Sequence, residues 1–315
     1  MDEPASNLDQ STTIPVAPPE FKSGFVAIVG RPNVGKSTLM NHLIGQKIAI
    51  TSPVAQTTRN RLKGILSTTE AQIIFVDTPG IHKPHHELGK VLVQNAKTAI
   101  NSVDLVLFVV DSSTEAGTGD RFIFDLLKRI STPVVLGLNK VDLQPSNYQF
   151  IDDTYADLIA DTRWSTVKFS AIAGDGIPKL QQTLIDRLEP GPYYYPPKLI
   201  TDQPERFIIA ELIREQILLH TRQEIPHSVA ITIEKIEETS KVTKVNAAIN
   251  IERSSQKGII IGKKGSMLKT IGTAARKQIQ KLIAGKVHLE LFVKVEPKWR
   301  QSRLRLAEFG YRVEE

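Results

Sequence analysis

The sequence predicts an α/β domain, with a mostly parallel sheet between two helical layers, followed by a smaller α+β domain. Three observations carry that prediction. Short β-branched runs alternate with helical stretches from Phe25 to Leu188, a proline-rich break follows at Glu189–Pro197, and the charge balance changes sign across it. Residues 1–192 hold 18 Lys+Arg against 20 Asp+Glu, net −2, whereas the remainder holds 22 against 14, net +8.

With 315 residues, 41% of them hydrophobic, the chain can bury two cores, and the lack of cysteine removes disulfides and thiolate sites. No apolar stretch approaches the roughly 18 residues that cross a bilayer; the run Val103–Val110 is broken by Asp104. Residues 1–20 are rich in Pro, Ser and Thr, have neither a basic start nor an apolar segment, and read as a disordered leader.

The first domain, residues 21–192, takes its strands from Phe25–Val29, Gln72–Val76, Leu105–Val110, Val134–Leu138 and Val167–Phe169. Helices are expected at Ser37–Ile44, Leu88–Ile100, Arg121–Ile130, Tyr148–Ile159 and Pro178–Leu188, and Leu62–Leu66 can pair antiparallel at an edge. The segment EPGPYYYPP ends the domain because its prolines cannot continue a helix. Residues 193–315 then predict a helix (Glu205–His220), two strands (Ser228–Lys235 and Thr243–Glu252), a basic helix (Ser266–Ile283), a strand (Val287–Val295) and a terminal helix after Pro297.

Gly30-Arg31-Pro32-Asn33-Val34-Gly35-Lys36-Ser37, with Thr38 next in the helix, fits a phosphate-binding loop between a buried strand and a helix. Backbone N–H groups and the helix N-terminus would face the phosphates, Lys36 would reach the β- and γ-phosphates, and Ser37 would ligate Mg²⁺. Asp77-Thr78-Pro79-Gly80 ends the next strand, so Asp77 can hold Mg²⁺ through water and the Gly80 N–H can sense a γ-phosphate. Asn139-Lys140-Val141-Asp142 and Ser170-Ala171 end two further strands. The paired oxygens of Asp142 match the N1–H and N2 amino donors of guanine, which adenine does not offer. Asn139 would brace the loops, the Lys140 stem would cover the base, and the Ala171 N–H would donate to guanine O6.

Residues 25–188 resemble a translation-factor-type GTPase, with these motifs in order. The resemblance places Gln56-Thr57-Thr58-Arg59 in the first switch, whose threonine ligates Mg²⁺ and binds the γ-phosphate. Thr58 is preferred to Thr57, and either hydroxyl fits. Ile81 stands where Ras-like relatives carry a water-orienting glutamine, so the expected catalytic groups are Lys36, Thr58, Gly80 and Asn33. Asn33 resembles the asparagine by which some GTPases lacking that glutamine hold K⁺ against the phosphates; a simple turn role fits it equally. His82, His85 and His86 read as a polar switch loop rather than a zinc site.

Between Arg253 and Lys286 there are nine Lys or Arg and no acidic residue, which favours a polyanionic partner. Within this block, Gly258-Ile259-Ile260-Ile261-Gly262-Lys263-Lys264-Gly265 resembles the KH signature, in which a G-x-x-G loop approaches the backbone of single-stranded RNA. Lys263 and Lys264 would supply phosphate charge, the isoleucines a groove for bases, and Trp299, Arg300, Arg303 and Arg305 an extension of the RNA track or a plain amphipathic helix. A P-loop GTPase domain followed by an α+β type II KH domain resembles the Era family of ribosome-assembly GTPases.

That resemblance implies GTP and GDP as ligands, Mg²⁺ as cofactor, and the 3′ end of 16S rRNA in the small (30S) subunit as partner. It further implies a role in 16S rRNA processing and 30S assembly, a monomer, a cytoplasmic location, and peripheral contact with the acidic cytoplasmic face of the membrane. A non-catalytic GTP-gated RNA scaffold and a membrane-surface GTPase are the alternatives.

Overall fold

The computed structural model describes residues 14–311, apart from 55, 56, 60, 82–86, 223, 224, 240 and 284. Residues 1–13 of the expected leader, Gln56 of the first switch, and His82, His85 and His86 therefore lie outside the described residues. The first domain runs β1 (Lys22–Val29), α1 (Lys36–Ile44), β2 (Leu62–Ser67), β3 (Ala71–Asp77), α2 (Glu87–Asn101), β4 (Leu105–Asp111) and α3 (Thr118–Leu127). It continues through β5 (Val134–Asn139), α4 (Tyr148–Ile159), β6 (Ser165–Lys168) and α5 (Ile177–Arg187).

These strands form one sheet in the order β2-β3-β1-β4-β5-β6, parallel except for the edge strand β2. The near-continuous apolar runs of β3 and β4 are buried on both faces, as a helix-covered parallel sheet requires. One face packs Ile28, Phe75 and Leu107 against Leu39 and Leu184; the other packs Ala27, Phe108 and Leu136 against Ile123 and Tyr155. Every parallel strand ends at the same edge, so the segments after β1, β3, β5 and β6 gather there and build the site.

The proline-rich break is fastened to the first domain rather than spanning free space. Buried Gln72 accepts from the N–H groups of Tyr194 (2.8 Å) and Tyr195 (3.0 Å) and donates to the Tyr195 carbonyl (2.9 Å). Farther on, Ile65 N–H donates to Ile200 O and the Thr201 hydroxyl to Lys63 O, which covers the edge strand.

The second domain comprises α6 (Glu205–His220), α7 (Ile225–Ser228), β7 (Ala230–Glu238), β8 (Val242–Ile251), α8 (Ser254–Ile261), α9 (Ser266–Ile279), β9 (Lys286–Val295) and α10 (Arg303–Glu308). β7 pairs antiparallel with β8 and β8 parallel with β9, so α8 and α9 form the crossover. The sequence reading did not anticipate α8. Gln256 caps it by accepting from the N–H groups of Glu252 and Arg253, and burial of Ile260 holds the apolar run in a helix. The basic helix ends at Ile279, short of the expected Ile283.

Candidate nucleotide site and G-x-x-G loop

The loop after β1 turns sharply at Asn33 and Gly35, whose φ angles are 65° and 95°. A Cβ on Gly35 would stand 2.3 Å from Asn139 Nδ2, so glycine is required there by conformation and by space. Lys36 is buried and donates to the carbonyls of Gly30 (3.1 Å) and Arg31 (2.8 Å). Burial pushes its pKa down to about 8 against the opposing charge of Asp77. Arg31 turns outward, where its Nε meets buried Asp120 at 2.7 Å and ties the loop to α3.

Three oxygens converge beside Lys36. Ser37 Oγ donates to Asp77 Oδ2 at 2.6 Å, Thr58 Oγ1 donates to the same oxygen at 3.2 Å, and the two hydroxyls lie 2.8 Å apart. Burial raises the Asp77 pKa, while Lys36 and the hydroxyls oppose the rise. Its second oxygen, Oδ1, is buried and has no hydrogen-bond partner among the described residues. A hard cation takes oxygen ligands of this kind, so the donor set fits Mg²⁺. Thr57 turns away: its hydroxyl donates to Val54 O at 2.6 Å.

Asp77-Thr78-Pro79-Gly80 closes against the phosphate loop through the Thr78 hydroxyl on Ile28 O (2.8 Å) and Ile81 N–H on Gly30 O (3.3 Å). Gly80, Pro32, Asn33, Thr38 and Thr58 line one cavity with Lys36. The Ile81 side chain is buried in the core, so nothing polar from that position can orient water. Asn33 Nδ2 donates to Pro53 O at 2.8 Å and joins the phosphate loop to the first-switch segment.

Asn139 holds the base side together. Its Nδ2 donates to Val34 O at 2.8 Å, and its Oδ1 accepts from Ala171 N–H at 2.9 Å. The Ala171 N–H, expected to face a base carbonyl, is thus tied to Asn139, which locks the two loops together. Lys140, at φ 68°, pairs with Asp111 at 2.5 Å; burial opposes ionisation of Asp111, yet Lys140 and Ser113 hold its pKa below the usual carboxylate range. Val141–Leu143 form a 3-10 turn that leaves Asp142 exposed, and buried Ser170 accepts from Ala173 N–H.

In the second domain, Gly262 ends α8 at φ 71°, where a Cβ would meet Met267 Cβ at 2.7 Å. Lys263 and Lys264 stand exposed between Gly262 and Gly265, ahead of α9. Gly258 and Ile259 lie on the outer side of α8, with Ile259 48% exposed, whereas Ile260 is wholly buried and Ile261 half-buried. Ile259 and Ile261 can therefore touch a base, and Ile260 supports them from within. Trp299 is fully buried and donates to Ser228 O at 3.0 Å, so it belongs to the core and not to an RNA track.

A family model described as "50S ribosome-binding GTPase" matches residues 25–140, and a KH-domain model matches residues 224–300. The GTPase Era of Crocosphaera subtropica is 74% identical over 309 residues, covering 98% of both chains, and that of Rippkaea orientalis is 71% identical over the full length of both. The chain belongs to the Era family of GTPases. Its structure superposes on Era crystallised with MgGDPNP and nucleotides 1506–1542 of 16S ribosomal RNA with a TM-score of 0.89, at 38% identity, over 92% of this chain and 99% of that one. A variant of Aquifex aeolicus Era bound to GDP and AlF4− gives a TM-score of 0.88 at the same identity and coverage.

Sequence reasoning missed several residues of this Era-family site. Asn41 accepts from the N–H groups of Ile48 and Ala49 and so fixes the start of the first-switch segment on α1. Glu215 of α6 accepts from Thr51 N–H at 2.8 Å and from Lys47 at 2.6 Å. Arg59 reaches into the second domain. No short motif marks Asn41 or Glu215, and the switch motif that contains Arg59 does not show its role, because each is defined by a partner on another element.

Proposed function

We propose that this chain hydrolyses GTP and uses the nucleotide state to control how its KH domain binds single-stranded RNA, the 3′ end of 16S rRNA, during rRNA processing and 30S assembly. The observation that carries this reading is the convergence of Ser37, Thr58 and Asp77 beside Lys36, with a buried carboxylate oxygen left for a cation. Mg²⁺ bound there would neutralise the phosphate charge that develops as the terminal phosphoryl group leaves. Lys36 and the N-terminus of α1 supply further positive charge, Gly80 N–H meets the γ-phosphate, and Asp142 selects guanine.

With Ile81 buried, Asn33 is proposed to help hold K⁺ in place of the missing glutamine. The relatives' RNA-bound structure and the exposed Lys263 and Lys264 support the RNA half of the reading. The protein acts as a monomer in the cytoplasm. The same acid-free block also suits peripheral contact with acidic lipid. Sequencing RNA crosslinked to the protein with a GTP analogue and with GDP tests the proposal. The expected result is 16S 3′-end sequence enriched in one state; RNA of unrelated origin, equal in both states, would remove it.

A further inference from the structure

Thr58 and Arg59 are consecutive, yet their side chains enter different domains. Thr58 Oγ1 lies among Ser37 and Asp77. The Arg59 side chain, on a residue only 2% exposed, crosses into the KH domain. There Nη1 donates to Val229 O at 2.6 Å and to the Tyr311 hydroxyl at 3.3 Å, and Nη2 donates to Pro226 O at 2.9 Å. The guanidinium carbon stands 5.9 Å from the Trp299 ring centre and 5.7 Å from that of Tyr311, within cation–π range.

The flanking contacts reinforce this seat. Arg214 of α6, held by Glu211, donates to the carbonyl of Thr57, and Glu215 accepts from Thr51 N–H. KH-domain side chains or backbone thus grip the first-switch segment at Thr51, Thr57 and Arg59, and Thr58 is left to face the phosphate loop. Helix α2, which follows Asp77–Gly80 in the chain, meets the same place, because Leu88 packs in one cluster with Trp299, Leu306 and Tyr311.

We infer that Arg59 is a positioning residue for the hydrolytic site: seated in the Trp299–Tyr311 cage, it holds Thr58 where it can meet metal and γ-phosphate, and so makes the KH domain part of the triphosphate site. The inference deepens the functional reading above and rests on Thr58 being the switch ligand. Two domains that share one short segment are energetically coupled, and the coupling acts in both directions. A diphosphate lacks the γ-phosphate that Thr58 would meet, so the coupling favours the triphosphate.

The test compares Arg59→Met, which keeps an apolar stem but loses the fork, with Arg59→Lys and Thr58→Ala. Fluorescent GTP-analogue and GDP affinities are measured across a Mg²⁺ titration. Arg59→Met is expected to weaken the analogue about tenfold and to raise the Mg²⁺ midpoint for it, with GDP affinity unchanged; Arg59→Lys, with no fork, should fall between. In a Trp164→Phe background, Trp299 emission should differ between analogue and GDP with Arg59 present, and the difference should vanish in Arg59→Met.

Unchanged triphosphate preference and Mg²⁺ midpoint in Arg59→Met overturn the inference. If that variant does not fold, wild-type preference in Arg59→Lys together with nucleotide-insensitive Trp299 emission overturns it equally. Loss of preference in Thr58→Ala but not in the Arg59 variants removes the Arg59 role alone, whereas wild-type behaviour of Thr58→Ala removes the switch assignment on which it rests.

Discussion

Asn139 donates to the carbonyl of Val34 across 2.8 Å, and this bond joins the guanine-side loop to the phosphate loop. Replacing Asn139 with Ala leaves two buried backbone groups, Val34 O and Ala171 N–H, without their partner. Each such group costs on the order of 1–3 kcal/mol. GTP and GDP affinities should therefore fall together, by roughly tenfold or more, and xanthine nucleotides should fall with them. Nucleotide titration of the folded variant checks this; a change confined to GTP would place Asn139 at the γ-phosphate instead.

Asp142→Asn should separate base recognition from loop bracing. The amide presents a donor where guanine needs a second acceptor, whereas xanthine supplies a matching carbonyl. Losing the charged pair should cost about 2–4 kcal/mol of GTP binding and improve xanthosine triphosphate relative to it. Competition between the two nucleotides decides, and undiminished GTP affinity would remove the base assignment.

The parallel sheet and the order of its site motifs were legible because each motif ends a buried β-branched run, so local pattern and tertiary position agree. The coupling between domains was not. Arg59 looks like any polar-loop arginine, and its partners Pro226, Val229 and Tyr311 lie 167, 170 and 252 residues away. Trp299 misled for a related reason. It sits among Arg300, Arg303 and Arg305, whose charge suggests RNA, yet Arg300 pairs with Glu252 and Arg305 with Glu296 and Glu308, while the indole fills the core. The helix α8 escaped notice because three consecutive isoleucines carry no helical period.

Lys36 predicts a proton linked to nucleotide binding. Burial holds its pKa near 8 in the nucleotide-free protein, and anionic phosphates must raise it again. Above pH 8 the free lysine is mostly neutral and the bound one charged, so binding takes up a proton and affinity falls as pH rises. Below pH 8 the lysine is charged in both states, and this dependence disappears. Calorimetry at pH 8.5 in buffers of different protonation enthalpy should show a net proton uptake that shrinks as the pH is lowered. An uptake near zero would mean that Lys36 is already charged without nucleotide.

Single-turnover hydrolysis should be faster in potassium than in sodium at matched ionic strength. With Ile81 buried, Asn33 is a polar side chain of the phosphate loop that already touches the first-switch segment, through Pro53 O. A cation fixed there would stabilise charge developing on the phosphates. Asn33→Ala should erase the difference between the two salts while leaving GDP affinity near its original value. Equal rates in both salts for the unmodified protein would leave Asn33 as a turn residue, a role its positive φ also suits.

Reversing Lys263 and Lys264 to Asp should abolish single-stranded RNA binding and leave intrinsic GTP hydrolysis nearly intact. Both side chains are exposed on the G-x-x-G loop, so the core loses nothing when they change. Each reversal removes a phosphate contact and adds repulsion, whereas each milder Lys→Ala change should lower the log–log salt slope of binding by about 0.7 for a single strand. Lys264 holds a left-handed φ of 52°, where an L residue is strained, so Lys264→Asn is the gentler neutralisation and should preserve the turn. Filter binding with a 16S 3′-end oligonucleotide over a salt series, beside a hydrolysis assay on the same preparations, gives both readouts. A folded double-Asp protein that binds this RNA at wild-type strength would show that Gly262–Gly265 merely joins α8 to α9, and would move the RNA site to another face of the basic domain.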